Sequence, residues 1–322
     1  MKMPTKIIPA VVILAILVLF PLFVKDPYFQ HLANVAFIFA IGIYGFNIIT
    51  GITGQLNLAH AGFIGIGAYT SAIMATKLGL SFWLAMPAAV LVTASFGVFI
   101  GYPSLRLTGV YFALTTLGFG SILALIFDNW IVLTGGPMGV TGIPAPSAIV
   151  LPGGYSLSFE SKTSFYYLSL VFLAIGFYIN RQLLQSRLGR QMLAVSGNET
   201  LARSVGISIA RTKIIAFVLA TILLGVSGSL YAHYFRFISP ATFSVGESFR
   251  DLTMLVVGGR GTLAGPLIGA VIFTLLPELL RSIEAYQWVA YGLILMVCVI
   301  FLPQGIMGFI KEFIAQKRKK VR

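Results

Sequence analysis

Residues 213–235 read KIIAFVLATILLGVSGSLYAHYF, and this stretch decides the fold. Its only fixed charge is Lys213, at the first position. It is long enough for the roughly 20 residues that cross a hydrocarbon core as a helix. It lacks the strict alternation of a barrel strand. Only helices and closed barrels satisfy every backbone group in lipid, so the stretch reads as a transmembrane helix.

Working outward, further apolar segments lie near 7–24, 32–50, 61–76, 84–100, 110–132, 164–180, 250–258, 263–280 and 287–302. The opening run after Met1 has no small-residue cleavage site and is longer than a typical signal core, so it reads as a first span. The 250–258 segment is too short to cross. Either it extends back through Ser244, Glu247, Arg250 and Asp251, or it is a re-entrant half-helix. The whole chain agrees with this picture. Hydrophobic residues make up 58% of 322 positions, charged residues 10%, and mean hydropathy is +0.95. A soluble surface needs about 25% charged residues. The expected fold is an all-α polytopic bundle of about 8–10 helices with broken or re-entrant segments, forming one integral membrane domain over 1–322.

The net charge of +13 reads as an orientation signal and not as a nucleic-acid footprint. With the N-terminus inside, the inner segments hold 16 of the 22 Lys and Arg residues, and the outer segments hold six. That bias predicts cytoplasmic N- and C-termini. Three segments flank the bundle: an outer loop over 133–163 rich in Gly, Pro and Ser, a basic inner loop over 181–213, and a basic tail over 311–322. The tail reads as an anchor on anionic lipid. Cys298 stands alone, which excludes an internal disulfide, and His31, His60 and His233 have no metal-ligand spacing.

Within the inner loop, residues 189–207 read GRQMLAVSGNETLARSVGI. Asn198 suits an N-cap, Glu199 suits the positive end of a helix dipole, and Gly206 suits a C-terminal stop. Leu201, Ala202 and Val205 form a short apolar stripe at helical spacing. This predicts a helix of about two turns, either resting on headgroups or docking in a groove of a cytoplasmic partner.

Polar groups at membrane depth are costly and often functional. Asn47, Gln55, Asn57, His60, Thr115, Thr116 and Asn129 are candidates for a translocation path. Gln55, Asn57 and His60 fall in a stretch broken by Gly51, Gly54, Gly62, Gly65 and Gly67. A second glycine-rich stretch, Gly258 to Gly269, interrupts the late spans. Paired interruptions point to a transport site, although small residues also serve close helix packing. His60 reads first as an interhelical hydrogen bond. No fixed charge is expected deep in a span, with Asp128, Asp251 and Glu278 set near the outer face.

The loop resembles the cytoplasmic loop of permease subunits of ATP-binding cassette importers, whose signature runs Glu-Ala-Ala…Gly. Glu199, Ala202 and Gly206 match it. Thr200-Leu201 replaces the double alanine, and the Glu-to-Gly spacing is seven. The branch that carries branched-chain amino acids is the better fit. Four other stretches share the likeness: TGITGQLNLAHAGFIGIGAY (50–69), RLTGVYFALTTLGFG (106–120), TGGPMGVTGIP (134–144) and VVGGRGTLAGPLIGA (256–270). It covers about residues 30 to 308.

The resemblance implies a second permease subunit, two cytoplasmic ATPase subunits that bind ATP and Mg2+, and an extracytoplasmic binding protein delivering Leu, Ile or Val. It implies that Asn198, Glu199, Ala202, Arg203, Val205, Gly206 and Ile207 transmit ATPase closure. The binding protein is expected at Thr134, Gly135, Gly136 and Gly142. The chain has no G-x-x-x-x-G-K-[ST] loop, nucleophile elbow or metal cluster, so no catalysis or cofactor of its own is expected. The competing expectations are an ion- or proton-coupled carrier working alone, and an importer for urea, a short amide or a sugar.

Overall fold

The computed structural model describes residues 17–104, 107–150, 156–279 and 305–310, with scattered positions between 286 and 300. Most of the first expected span, Arg106, Cys298 and the basic tail lie outside the described residues.

Helix α1 runs Pro27–Phe46 and continues as a π-helical turn over Asn47–Ile52. Its start is fixed locally: the Asp26 carboxylate accepts from the Tyr28 amide at 2.8 Å, and Pro27 occupies the first turn, where no amide is needed. An irregular segment over 53–59 leads to α2 (His60–Lys77), then α3 (Phe82–Ser104) and α4 (Val110–Asn129). After the 133–163 loop come α5 (Lys162–Gln185), α6 (Arg187–Gly197), the stub α7 (Glu199–Ser204) and α8 (Ile209–Phe235). The last described pair is α9 (Val245–Gly258) and α10 (Gly265–Leu279). Strand structure among the described residues is limited to two-residue pairings, such as Val140–Thr141 against Phe237–Ile238.

Among the described residues, five helices are long and apolar enough to cross a membrane: Pro27–Ile52, Phe82–Pro103, Val110–Asn129, Lys162–Gln185 and Ile209–Phe235. The all-α membrane bundle is therefore the observed architecture. The short apolar segment at 250–258 does extend back, to Val245, and so carries Glu247, Arg250 and Asp251. At 14 residues, α9 is only about 21 Å long, short of the roughly 30 Å core, and α10 is described as far as Leu279. They form a helical hairpin whose turn packs on Tyr44 and Asn47, with Arg260 exposed.

Helix α8, which contains the 213–235 stretch, is the axis of the bundle. It packs along α3, α2 and α1, while α1 also packs on α5 and α10. Lipid gives no hydrophobic drive to helix pairing, so backbones must approach closely. A Cβ on Gly67 of α2 would stand 2.7 Å from the Cα of Gly225 in α8. Polar locks add direction. Asn34 of α1 donates to the Lys162 carbonyl at 3.0 Å and accepts from Ser169 of α5 at 3.0 Å. By contrast α4 turns Val110, Tyr111, Leu114, Ile122 and Leu125 outward.

Candidate functional site

The irregular 53–59 segment returns the chain to the middle of the bundle before α2 begins. There His60 is held at two points: Nδ1 lies 2.8 Å from Asp251 Oδ2, and Nε2 lies 3.2 Å from the Gly42 carbonyl. Gly42 is near the centre of the 26-residue Pro27–Ile52 segment, so this contact sits at mid-depth. Phe46 stacks on the imidazole at 4.3 Å, and Ser248 accepts from the Ala61 amide at 3.0 Å. Arg250 pairs with Glu247 at 2.6 Å and lies over the Phe39 ring at 4.7 Å. The expectation that fixed charge stays out of the spans is thus corrected. Asp251 is 2% exposed and faces α2, because α9 starts at Val245 and turns that carboxylate inward.

Asn47 organises the hairpin turn. Its side chain accepts from the Gly261 amide at 2.8 Å and donates to the Thr262 carbonyl at 3.1 Å and to Asn180 at 3.3 Å. Tyr44 donates to the Leu263 carbonyl at 3.0 Å. Asn57 caps its own turn through the Ala59 amide, and Thr116 of α4 accepts from the Leu58 amide, both at 3.0 Å. Asn47, Gln55, Asn57, His60 and Thr116 are therefore all buried around one broken segment. Asp251 Oδ1, Gln55 Oε1 and Asn57 Nδ2 are buried with no hydrogen-bond partner among the described residues. Thr115 and Asn129 are not part of this group. Both are exposed on α4 and bond back to their own helix, at the Tyr111 and Leu125 carbonyls. Asn180 and Ser248 are members that sequence reading passed over, and Asp251 is one that it set near the outer face. The amphipathic run Glu247–Asp251 beside a glycine-rich turn was the available signal for the last two.

At the end of the bundle that carries 181–213, α7 is six residues long, close to two turns. Asn198 caps it by accepting from the Leu201 amide at 3.0 Å. Ala202 is buried with Val195 and Ile209, and Ile207 packs beside them. Glu199 reaches Lys213 of α8 at 2.7 Å, where Lys213 is 1% exposed. Arg203 and the apolar side chains of Leu201 and Val205 point outward. Gly206 ends the stub at φ 84°, a conformation that side-chain-bearing residues rarely adopt. On the other flank, a Cβ on Gly54 would meet Ser196 of α6. The loop and the broken segment are in contact.

In the 133–163 loop, Thr134 and Gly136 are buried. The Thr134 hydroxyl lies 2.7 Å from the Phe127 carbonyl and accepts from the Gly136 amide at 3.2 Å. Gly135 is held at φ 77°, where a side chain would strike the Gly139 carbonyl. These residues shape the loop, and Met138, Thr141 and Gly142 form its exposed tip.

Comparison with known proteins is consistent along the whole bundle. The chain is 33% identical over 293 residues to the high-affinity branched-chain amino acid transport system permease protein LivM of Salmonella typhimurium, covering 86% of this chain and 69% of that one. The LivM protein of Escherichia coli gives the same identity and coverage. Similarity to LivH of Escherichia coli is 25% over 288 residues, covering 84% and 91% of the two chains. No solved structure matches. A family model for the branched-chain amino acid transport system permease component matches residues 28–302, and the chain belongs to that family.

Proposed function

We propose that this chain is one of the membrane-spanning subunits of an ATP-binding cassette importer for branched-chain amino acids. It sits in the cytoplasmic membrane of a bacterium or archaeon with the 181–213 loop in the cytoplasm. A second permease subunit, two ATPase subunits that bind ATP and Mg2+, and an extracytoplasmic binding protein complete the assembly. The observation that carries this reading is the α7 stub. Glu199 ties it to a buried lysine at the foot of α8 while Leu201 and Val205 face outward, so a partner that grips those side chains pulls on the central helix. The Lys and Arg bias gives the orientation, and the relatives' names support the solute. On the outer side, the tip at Met138, Thr141 and Gly142 receives the binding protein, with Thr134, Gly135 and Gly136 setting its shape. Gln55, Asn57 and Asp251 line the path that a zwitterion takes past the broken segment.

One observation favours a second reading. The buried Asp251–His60 pair is the kind of acid–base couple that proton-driven carriers use. Purification of the chain from its native membranes in mild detergent, wild type beside Gly206→Asp, separates the two. Co-purification of a P-loop ATPase with the wild type and its weakening in the variant are expected. A chain that purifies alone and supports gradient-driven uptake after reconstitution would overturn the importer reading. Uptake driven by ATP but specific for urea or a sugar would overturn the solute.

A further inference from the structure

The six cations of 181–213 share a single acid, Glu199, and that acid is already engaged by Lys213. Two of the remaining arginines converge. Arg187, in the first turn of α6, and Arg211, in the first turn of α8, line one cavity of about 330 Å3. Both are exposed at its mouth. Leu188 and Ile215 give it an apolar wall, and Ser208 and Gly206 form its rim. Ser208 makes no side-chain cap on α8, which leaves the positive end of a 27-residue helix facing the same region.

Two guanidinium groups around one cavity repel each other unless an anion lies between them. Arginine matches phosphate geometry through paired N–H donors. The depth of the cavity points to lipid. Helix α5 ends at Gln185 and α8 begins at Ile209, so the cavity lies where two membrane-crossing helices emerge, at headgroup level. A soluble-anion site would have no use for the apolar wall.

We propose that this cavity binds a phosphate group, and that its source is the headgroup of an anionic phospholipid whose acyl chains run down beside Ile215. Because Gly206 stands on the rim, the bound lipid stiffens the turn between α7 and α8, so the leaflet's anionic content tunes how firmly the coupling stub is held. The inference depends on membrane embedding and is independent of the transported solute.

The test is native mass spectrometry of the full chain, with the subunits that co-purify, after addition of phosphatidylglycerol or phosphatidylcholine. Wild type is expected to retain phosphatidylglycerol selectively. The double variant Arg187→Gln, Arg211→Gln loses about fivefold in retention per arginine removed. The Arg187→Lys, Arg211→Lys pair keeps most of it. Arg190→Gln, whose guanidinium donates to the Gln185 carbonyl and does not line the cavity, serves as the unaffected control. Equal retention by the double Gln variant would overturn the site. Displacement of the lipid by millimolar inorganic phosphate would make the ligand a soluble anion and overturn the lipid source. Loss of the ATPase subunit with lipid retention unchanged would assign the arginines to an acidic partner surface, which also overturns the proposal.

Discussion

His60 Nδ1 and Asp251 Oδ2 lie 2.8 Å apart with both side chains sealed from solvent, so neither group can move or lose its partner alone. The pair joins α2, at the point where the chain re-enters the bundle, to α9 of the hairpin. The two interrupted elements are thereby one structural unit.

Asp251→Ala is expected to cost about 3 kcal/mol, because the buried imidazole loses its Nδ1 partner. Asp251→Asn keeps a polar group within reach of Nδ1 and loses less. Thermal unfolding of the purified protein in detergent reads the difference. An alanine variant as stable as wild type would mean that the pair does not hold the hairpin.

The Glu199–Lys213 contact predicts an asymmetry. Lys213 is buried while Glu199 is partly exposed. Glu199→Gln strands a buried ammonium, whereas Lys213→Met removes the charge that needs a partner. Glu199→Gln should be the more damaging by about 1–3 kcal/mol. Proteolysis within 198–208 reads how firmly the stub is held. Equal protection in the two variants would contradict the assignment.

A Cβ on Gly206 would meet no atom within 4 Å, so substitution there acts through the backbone at φ 84°. A left-handed conformation costs an ordinary residue about 1–2 kcal/mol, and asparagine less. Uptake per ATP hydrolysed should fall in the order Gly, Asn, Val, with the bundle's melting temperature unchanged. Full coupling in Gly206→Val would remove the turn from the transmission path.

Replacement of Thr134–Pro144 by a flexible linker should lower uptake and leave basal ATP hydrolysis intact. It removes both the exposed tip and the Val140–Thr141 pairing with Phe237–Ile238. Met138→Glu is the milder counterpart, since that side chain is 82% exposed on the tip. It should weaken delivery by the binding protein without loosening the loop. Undiminished uptake in both variants would move the docking surface elsewhere.

Local signals were the ones the sequence carried openly. Asn198 as a cap and Gly206 as a stop depend on neighbours within a few residues, and both stand where the pattern put them. The spans were readable because lipid demands long apolar runs. Asp251 was not readable as a buried group, since its partner comes from a segment far earlier in the chain. The rotation of α4 was equally hidden: Thr115 and Thr116 are adjacent, yet one faces outward and the other accepts from the Leu58 amide. A helix apolar on every side gives no periodic stripe to say which face turns inward. Thr134 illustrates a third limit, because a conspicuous loop residue turned out to brace the loop from within.

The contact of Gly67 with Gly225 carries a mechanical consequence. Helices that touch backbone to backbone have no side-chain layer between them, so α2 and α8 form a close pair at this point. Under the proposed function, a load on the α7 stub passes from Glu199 to Lys213 of α8, the helix that α2 packs against. Relative movement is left to α4, which turns its apolar side chains outward, and not to the hairpin turn, which Asn47 holds with two hydrogen bonds.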